Sequence, residues 1–149
     1  MQSVSFCFSK VKKDCLKFIK SQETKADKFK NKERMIKAFL IPICFWISKK
    51  ADKKKPYFVG LAGGQGTGKT TISSLIKIIL IKYFKLKVFR ISIDDFYKTR
   101  KERISLSKRV HPMLLIRGVP GTHDINMMLN FFKQAKSRKF KRLRLPTFN

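Results

Sequence analysis

The sequence predicts an α/β architecture: a parallel sheet with helices on both faces, preceded by helices at the N-terminus. Three stretches carry that expectation. Residues 57–62 (YFVGLA) form a short apolar run that opens onto a cluster of glycines. Residues 71–80 (TISSLIKIIL) place apolar side chains at helical spacing, and residues 87–93 (KVFRISI) alternate and are rich in β-branched types. Short apolar runs bounded by glycine read as strands, as does strict alternation. A strand, a helix and a second parallel strand close with a right-handed crossover almost without exception.

The remaining elements follow in order. Residues 1–34 are rich in lysine, with apolar side chains at Phe6, Phe8, Val11, Cys15, Leu16, Phe18 and Ile19. That spacing predicts one or two amphipathic helices, with residues 21–34 polar enough for a solvated helix or a loose connection. A third helix is expected from about residue 33 to 48, bent or broken near Pro42, whose ring removes a donor and crowds the preceding turn. The run KKADKKKP (49–56) reads as a surface linker. The chain thus divides into a basic helical region, residues 1–55, and a second region, residues 56–149. Beyond the second strand, a helix is expected at 100–109, then a loop marked by Pro112, Gly118, Pro120 and Gly121. A further helix spans about 124–136 with Thr122 as candidate N-cap, and Leu143-Arg-Leu145 is positioned to begin a third strand.

Between the first strand and its helix lies G-G-Q-G-T-G-K-T, residues 63–70, a complete G-x-x-x-x-G-K-[ST] phosphate-binding loop. Glycines let successive backbone N–H groups turn toward an anion, and the helix N-terminus adds its partial positive charge. In this pattern Gly63, Gly64, Gln65, Gly66, Thr67, Gly68, Lys69, Thr70 and Thr71 line a nucleoside triphosphate. Lys69 reaches the β- and γ-phosphates, and the Thr70 hydroxyl holds Mg²⁺. The fold class expected is therefore a P-loop NTPase, with ATP and Mg²⁺ as its ligands.

The formal charge of +27, from 36 Lys+Arg against 9 Asp+Glu, taken alone suggests nucleic acid or an anionic membrane as partner. The composition argues for a blander origin. Twenty-seven of the cations are lysine, they are spread along the chain, and no arginine block or base-stacking aromatic motif accompanies them. Non-specific attraction to polyanions is expected, and specific nucleic-acid recognition is not. Cys7, Cys15 and Cys44 lack C-x-x-C or metal-ligand spacing and read as buried thiols of a reducing compartment. The most apolar stretch, residues 35–47, is interrupted by Lys37 and Pro42 and is too short to span a bilayer. The residues ahead of it lack the order of a secretory signal. A cytoplasmic protein with no membrane span is the expectation.

A second chemical signal sits where the 87–93 segment runs into Asp94-Asp-Phe-Tyr97. In open α/β sheets ligands lie beyond the carboxyl ends of strands, so a carboxylate there faces a bound triphosphate. Asp94 could accept a proton from an acceptor hydroxyl or help hold the metal. Asp95 reads either as a second functional carboxylate or as the cap of the next helix. Phe96 and Tyr97 read first as packing residues, with Tyr97 also placed to touch a substrate.

Three motifs in sequence, GLAGGQGTGKTT (60–71), SIDDFY (92–97) and RGVPGTHD (117–124), resemble the plant-type D-glycerate 3-kinases. These are a branch of the P-loop kinases that includes uridine kinase, phosphoribulokinase and pantothenate kinase. The resemblance runs from about Phe39 to the C-terminus. It implies phosphoryl transfer from Mg·ATP to a hydroxyl of a small acceptor, D-glycerate being the best single candidate, with Lys69 and Asp94 as the catalytic pair and Asp94 at the acceptor hydroxyl. It also implies an acceptor segment in which Arg117 pairs with an anionic acceptor through its planar fork. His123 and Asp124 would orient acceptor hydroxyls. The plainer readings are a surface arginine, a satisfied loop histidine and an aspartate at a helix N-terminus.

The pattern departs from the family in extent. About five parallel strands are normal for such a kinase, whereas two or three can be counted here. The expectation is the N-terminal half of a P-loop kinase domain in residues 56–149, with a complementing C-terminal half as possible partner. The alternatives are a truncated ATP-binding remnant without catalysis and a basic polyanion binder that retains an old loop.

Overall fold

In the computed structural model, residues 3–26, 28–52, 55–137 and 143–144 are described. The chain forms two compact units, Met1–Arg90 and Ile91–Asn149.

The first unit is helical. Helix α1 spans Val4–Gln22, and the Ser3 hydroxyl caps its N-terminus by accepting from the Phe6 N–H at 3.1 Å. Its apolar stripe, Cys7, Phe8, Val11, Cys15 and Ile19, is buried, while lysines occupy much of the opposite side. A short connection follows, in which the Glu23 carboxylate accepts from the Phe29 N–H (2.8 Å) and pairs with Lys32 (2.7 Å). Helix α2 (Lys32–Met35), a π-helical turn (Ile36–Leu40) and helix α3 (Ile41–Lys50) are continuous. The bend expected at Pro42 is realised as that π turn. Proline at position 42 cannot donate to the turn before it and crowds its carbonyl, and widening the helix just upstream relieves both problems.

Helix α4, Lys69–Lys82, buries Thr71, Ser74, Leu75, Ile79 and Leu80. α1, α3, the π turn and α4 enclose one apolar core, in which Cys7, Val11, Cys15, Ile19, Ile36, Ile41, Cys44, Leu75 and Ile79 are fully buried. Phe45, Tyr83 and Phe84 close one side of it edge to face. The three thiols are free and buried here, as their spacing suggested. Burial pushes Cys7 up to about 11 and Cys15 and Cys44 up to about 12. The basic N-terminal helix is thus part of the core that carries the phosphate-loop helix.

The second unit contains helix α5 (Arg100–Arg109) and helix α6 (Ile125–Ser137), with 3₁₀ turns at Ile93–Phe96 and Pro112–Leu115. Thr99 and Glu102 form a reciprocal capping box that starts α5. Arg103 is buried, and its guanidinium donates to the carbonyls of Leu115 (2.6 Å) and Lys98 (3.3 Å), tying α5 to the following turn.

The expected parallel sheet is not formed. Among the described residues there is no strand, and the one isolated bridge joins Tyr97 to His123 in antiparallel sense. The structure is therefore not the α/β parallel-sheet fold that the 57–62 and 87–93 segments suggested. Alternation and β-branching favour an extended backbone, but a ladder also needs a neighbour that supplies the facing N–H and C=O groups. Neither segment has one. Tyr57, Phe58, Val59 and Leu61 remain between 42% and 52% exposed, which no central strand would be. Leu143 and Arg144 are not in a strand, and Leu145, the rest of the proposed third strand, lies outside the described residues.

Candidate functional site

The phosphate loop belongs to the first unit. Gly66 and Gly68 take positive φ, 78° and 77°, a conformation that L side chains rarely adopt. Gly68 is the N-cap of α4 and offers no side-chain oxygen to the first amides of the helix. A Cβ at Gly63 would lie 3.1 Å from Thr67 Oγ1, tighter than ordinary contact, so Thr67 would have to shift to admit one. The Gly64 carbonyl accepts from Thr67 Oγ1 at 2.8 Å and from the Lys69 ammonium, so two loop side chains gather on one backbone oxygen. Gln65 is exposed at the tip and Thr71 is buried behind the loop. The Thr70 carbonyl accepts from Ser73 (3.0 Å), Ser74 (2.8 Å) and the Arg90 guanidinium (3.1 Å), while Thr70 itself is exposed on the first turn.

This donor set fits a triphosphate. An uncapped helix N-terminus and a lysine ammonium present positive charge at one place, on a helix anchored in a core. It also fits Mg²⁺ of the kind that keeps waters and phosphate oxygens as ligands, because it offers a hydroxyl at Thr70 rather than a cage. Among the described residues no group of three or more His, Cys, Asp or Glu could hold a metal alone.

The second unit gathers the other sequence candidates. The Tyr97 ring stacks on the His123 imidazole, with centroids 4.0 Å apart and planes 24° from parallel. Two backbone bonds flank that stack: the Lys98 N–H donates to Thr122 O at 2.9 Å, and the Asp124 N–H to Phe96 O at 2.7 Å. Behind it, Phe96 packs against Phe131 and Phe132 of α6. Burial, the Asp94 charge and a hydrogen bond to Asp94 raise the Tyr97 phenol above the usual tyrosine range, partly offset by Arg117 and the Gly118 N–H. Asp94 and Arg117 thus act electrostatically on the Tyr97 phenol and His123 stacks on its ring, while Asp124 is tied to the neighbouring Phe96 carbonyl. His123 Nε2 is buried and has no hydrogen-bond partner among the described residues.

Two candidates also carry local structural duties. Asp95 accepts from the Ser92 N–H at 3.0 Å in a capping box, the cap reading of that residue. Asp124, rather than Thr122, caps α6: its Oδ1 accepts from the Met127 N–H at 2.9 Å. Thr122 is fully buried and donates to Val119 O at 2.6 Å. Three further residues contribute that the sequence did not mark as functional. Arg90 grips the first turn of α4 through Thr70 O and the Ser74 hydroxyl. Gly118 and Gly121, both at positive φ, turn the segment that carries His123 back toward Tyr97. The glycines were visible as loop punctuation, whereas Arg90 gave no signal, since one arginine in an alternating segment resembles any other.

No protein-family model matches the chain, and no solved structure matches it. Curated proteins do. An uncharacterized kinase of Schizosaccharomyces pombe is 34% identical over 90 residues, covering 57% of this chain and 32% of that protein. The chloroplastic D-glycerate 3-kinase of Arabidopsis thaliana is 29% identical over 126 residues, 74% of this chain and 27% of the enzyme. The pantothenate kinase of Streptococcus gordonii is 29% identical over 89 residues, 59% of this chain and 28% of the enzyme. The chain thus spans roughly a third of the length of the curated relatives it matches. Among the described residues no helix is long and apolar enough to cross a membrane. Over the residues aligned, the chain is similar to D-glycerate 3-kinase, to pantothenate kinase and to an uncharacterized kinase.

Proposed function

We propose that the chain carries the phosphate loop and acceptor cluster of an ATP-dependent kinase acting on a small hydroxy acid, with D-glycerate the first candidate. The observation that supports this most is the grouping of Asp94, Arg117, His123 and Asp124 around the Phe96–Tyr97 segment, in a chain that also bears a complete phosphate loop. The relatives add chemical sense. Glycerate and pantothenate, named in two of them, each carry a hydroxyl and a carboxylate.

In this reading residues 63–71 hold the triphosphate through their amides, with Lys69 leaving the Gly64 carbonyl for the β- and γ-phosphates. The Thr70 hydroxyl serves Mg²⁺, which when bound would neutralise charge on the phosphate oxygens. Asp94, exposed at the head of its 3₁₀ turn, accepts the proton of the acceptor hydroxyl. Arg117 pairs with the acceptor carboxylate, and His123 Nε2 and Asp124 orient its hydroxyls. Asp95 supports the turn that presents Asp94.

The test is a pair of substitutions assayed with Mg·ATP and D-glycerate. Lys69→Ala should weaken ATP binding and abolish ADP formation. Asp94→Asn should leave ATP binding within about twofold and lower turnover at least ~100-fold, the scale of a lost general base. Unchanged turnover in Asp94→Asn would remove that residue from the mechanism. A second reading rests on the exposed apolar residues 57–61: an ATP-binding chain that transfers nothing unless a complementing C-terminal half supplies further residues. Mg·ATP binding without acceptor-dependent ADP formation would select it.

A further inference from the structure

We propose that Arg90 is a positioning residue of the phosphate loop: its guanidinium clamps the first turn of α4 through the Thr70 carbonyl, and so sets the Thr70 hydroxyl that would hold Mg²⁺. The inference rests on the reading of Thr70 as a Mg²⁺ ligand for its effect on binding, and on geometry for the clamp itself.

The route of the chain brings Arg90 to that turn. Lys85, at φ 55°, reverses the chain beyond α4, and the Leu86 N–H bonds back to Leu80 O at 3.1 Å. Residues 86–90 then run from the C-terminal end of α4 to its first turn. Side chains alternate on the way: Leu86 and Val88 pack against the apolar core, whereas Phe89 is 72% exposed. Arg90 falls on the side of Leu86 and Val88, and there it meets Thr70 and Ser74.

The contacts close a triangle. Arg90 Nη1 donates to Thr70 O at 3.1 Å and to the Ser74 hydroxyl, while Ser74 Oγ donates its own proton to Thr70 O at 2.8 Å. A hydroxyl has one proton and two lone pairs, so the three bonds are mutually compatible. Ser74 is buried, which fixes one corner. The loop side of the turn has no comparable support. Gly68 supplies no capping side chain, Gly66 and Gly68 both take positive φ, and Thr70 itself is exposed.

The charge of the clamp also points to an anion. The first turn of α4 holds no acidic residue, Lys69 is its first position, and a helix N-terminus disfavours added positive charge. A neutral donor would hold the Thr70 carbonyl without that repulsion. An anion at the loop reverses the sign of the interaction, so a cation in this place suits a site that receives a triphosphate.

Calorimetric titration of the full chain with ATP, in Mg²⁺ and in EDTA, tests the clamp. Arg90→Gln should weaken Mg·ATP binding at least about tenfold, the scale for losing a group that orients a metal ligand, and metal-free ATP binding less than about threefold. The urea transition of Trp46 should not move. Thr70→Ala should reproduce this pattern. Adding Arg90→Gln to Thr70→Ala should weaken binding no further, because the clamp then has no hydroxyl to place. Losses that multiply, that fall equally on Mg·ATP and metal-free ATP, or that track a lower urea midpoint overturn the proposal, since Arg90 would then act by charge or stability alone. If the wild-type chain binds no ATP, the phosphate-loop reading is what fails, and hydrogen exchange decides the clamp. Arg90→Gln should speed exchange of the Ser73 and Ser74 amides severalfold and leave those of Ile78, Ile79 and Leu80 unchanged. Equal exchange in wild type and Arg90→Gln overturns the clamp irrespective of ATP.

Discussion

The two units of the chain hold their functional residues by different physics. In Met1–Arg90 the phosphate loop is exposed and glycine-rich, but it is joined to α4, whose inner face lies in a core of thirteen buried apolar residues. In Ile91–Asn149 the buried apolar residues among those described are Phe96 and Phe131, accompanied by the buried polar residues Thr122 and Arg103. The proposed acceptor cluster is held by backbone bonds, caps and one aromatic stack. A phosphate loop can be loose, because the ligand orders it and the helix behind it supplies the anchor. An acceptor site has no such ligand-imposed template and must bring distant side chains together in advance.

The largest effect that tests this contrast is expected at Phe96. Its replacement by Ala removes the main apolar contact beneath the Asp94–Tyr97 turn and should cost about 3–5 kcal/mol, the usual range for a buried phenylalanine. The chain's single tryptophan, Trp46, lies in the first unit and reports on it separately. Phe96→Ala should abolish the Tyr97–His123 ring-current shifts while leaving the Trp46 fluorescence transition in urea in place. Ile79→Ala, in the core of the first unit, should do the reverse. It is expected to move the Trp46 transition by about 2–5 kcal/mol and spare the His123 signals. If both variants move the Trp46 transition equally, the units unfold as one and the contrast fails.

Gly68→Ala is expected to have a smaller effect. At φ 77° an alanine costs roughly 1–2 kcal/mol, and it disturbs the N-cap of α4 rather than the core. ATP affinity, measured by calorimetry, should fall more than the urea midpoint does. An equal loss in both would mean that the loop contributes to folding and not only to binding.

Legibility in the sequence followed the range of the interactions involved. The phosphate loop was readable because its chemistry needs contiguous residues, and Thr67 and Lys69 both donate to the Gly64 carbonyl. Asp94, Tyr97, Arg117, His123 and Asp124 were readable as separate motifs, but that the 117–124 segment folds back against Phe96 and Tyr97 was not, since it depends on a return turn at Gly118 and Gly121. Of the two readings of Asp95, the capping contact to the Ser92 N–H is the one that depends on local backbone geometry. The sheet was misread for the same reason in reverse. Residues 57–62 and 87–93 have the local pattern of strands, yet pairing is a non-local property, and among the described residues nothing pairs with them.

The smallest effect tests the first unit alone, because all three cysteines lie there. Burial raises Cys7 to about 11 and Cys15 and Cys44 to about 12, well above an exposed thiol near 8.5. The folded chain therefore keeps these protons at a pH where the unfolded chain releases them. Their contribution to stability is fully present below the ordinary thiol range and is lost as pH rises toward 11–12. At pH 9 a thiol-specific reagent should label the native chain only as fast as the first unit opens, and urea near the Trp46 midpoint should accelerate labelling more than tenfold. Phe96→Ala should leave that labelling rate unchanged and Ile79→Ala should raise it, because the thiols share one core with Ile79 in the first unit. Labelling of the native chain at the rate of a free thiol would instead place the cysteines at an open surface, and the apolar anchor assigned to α4 would go with them.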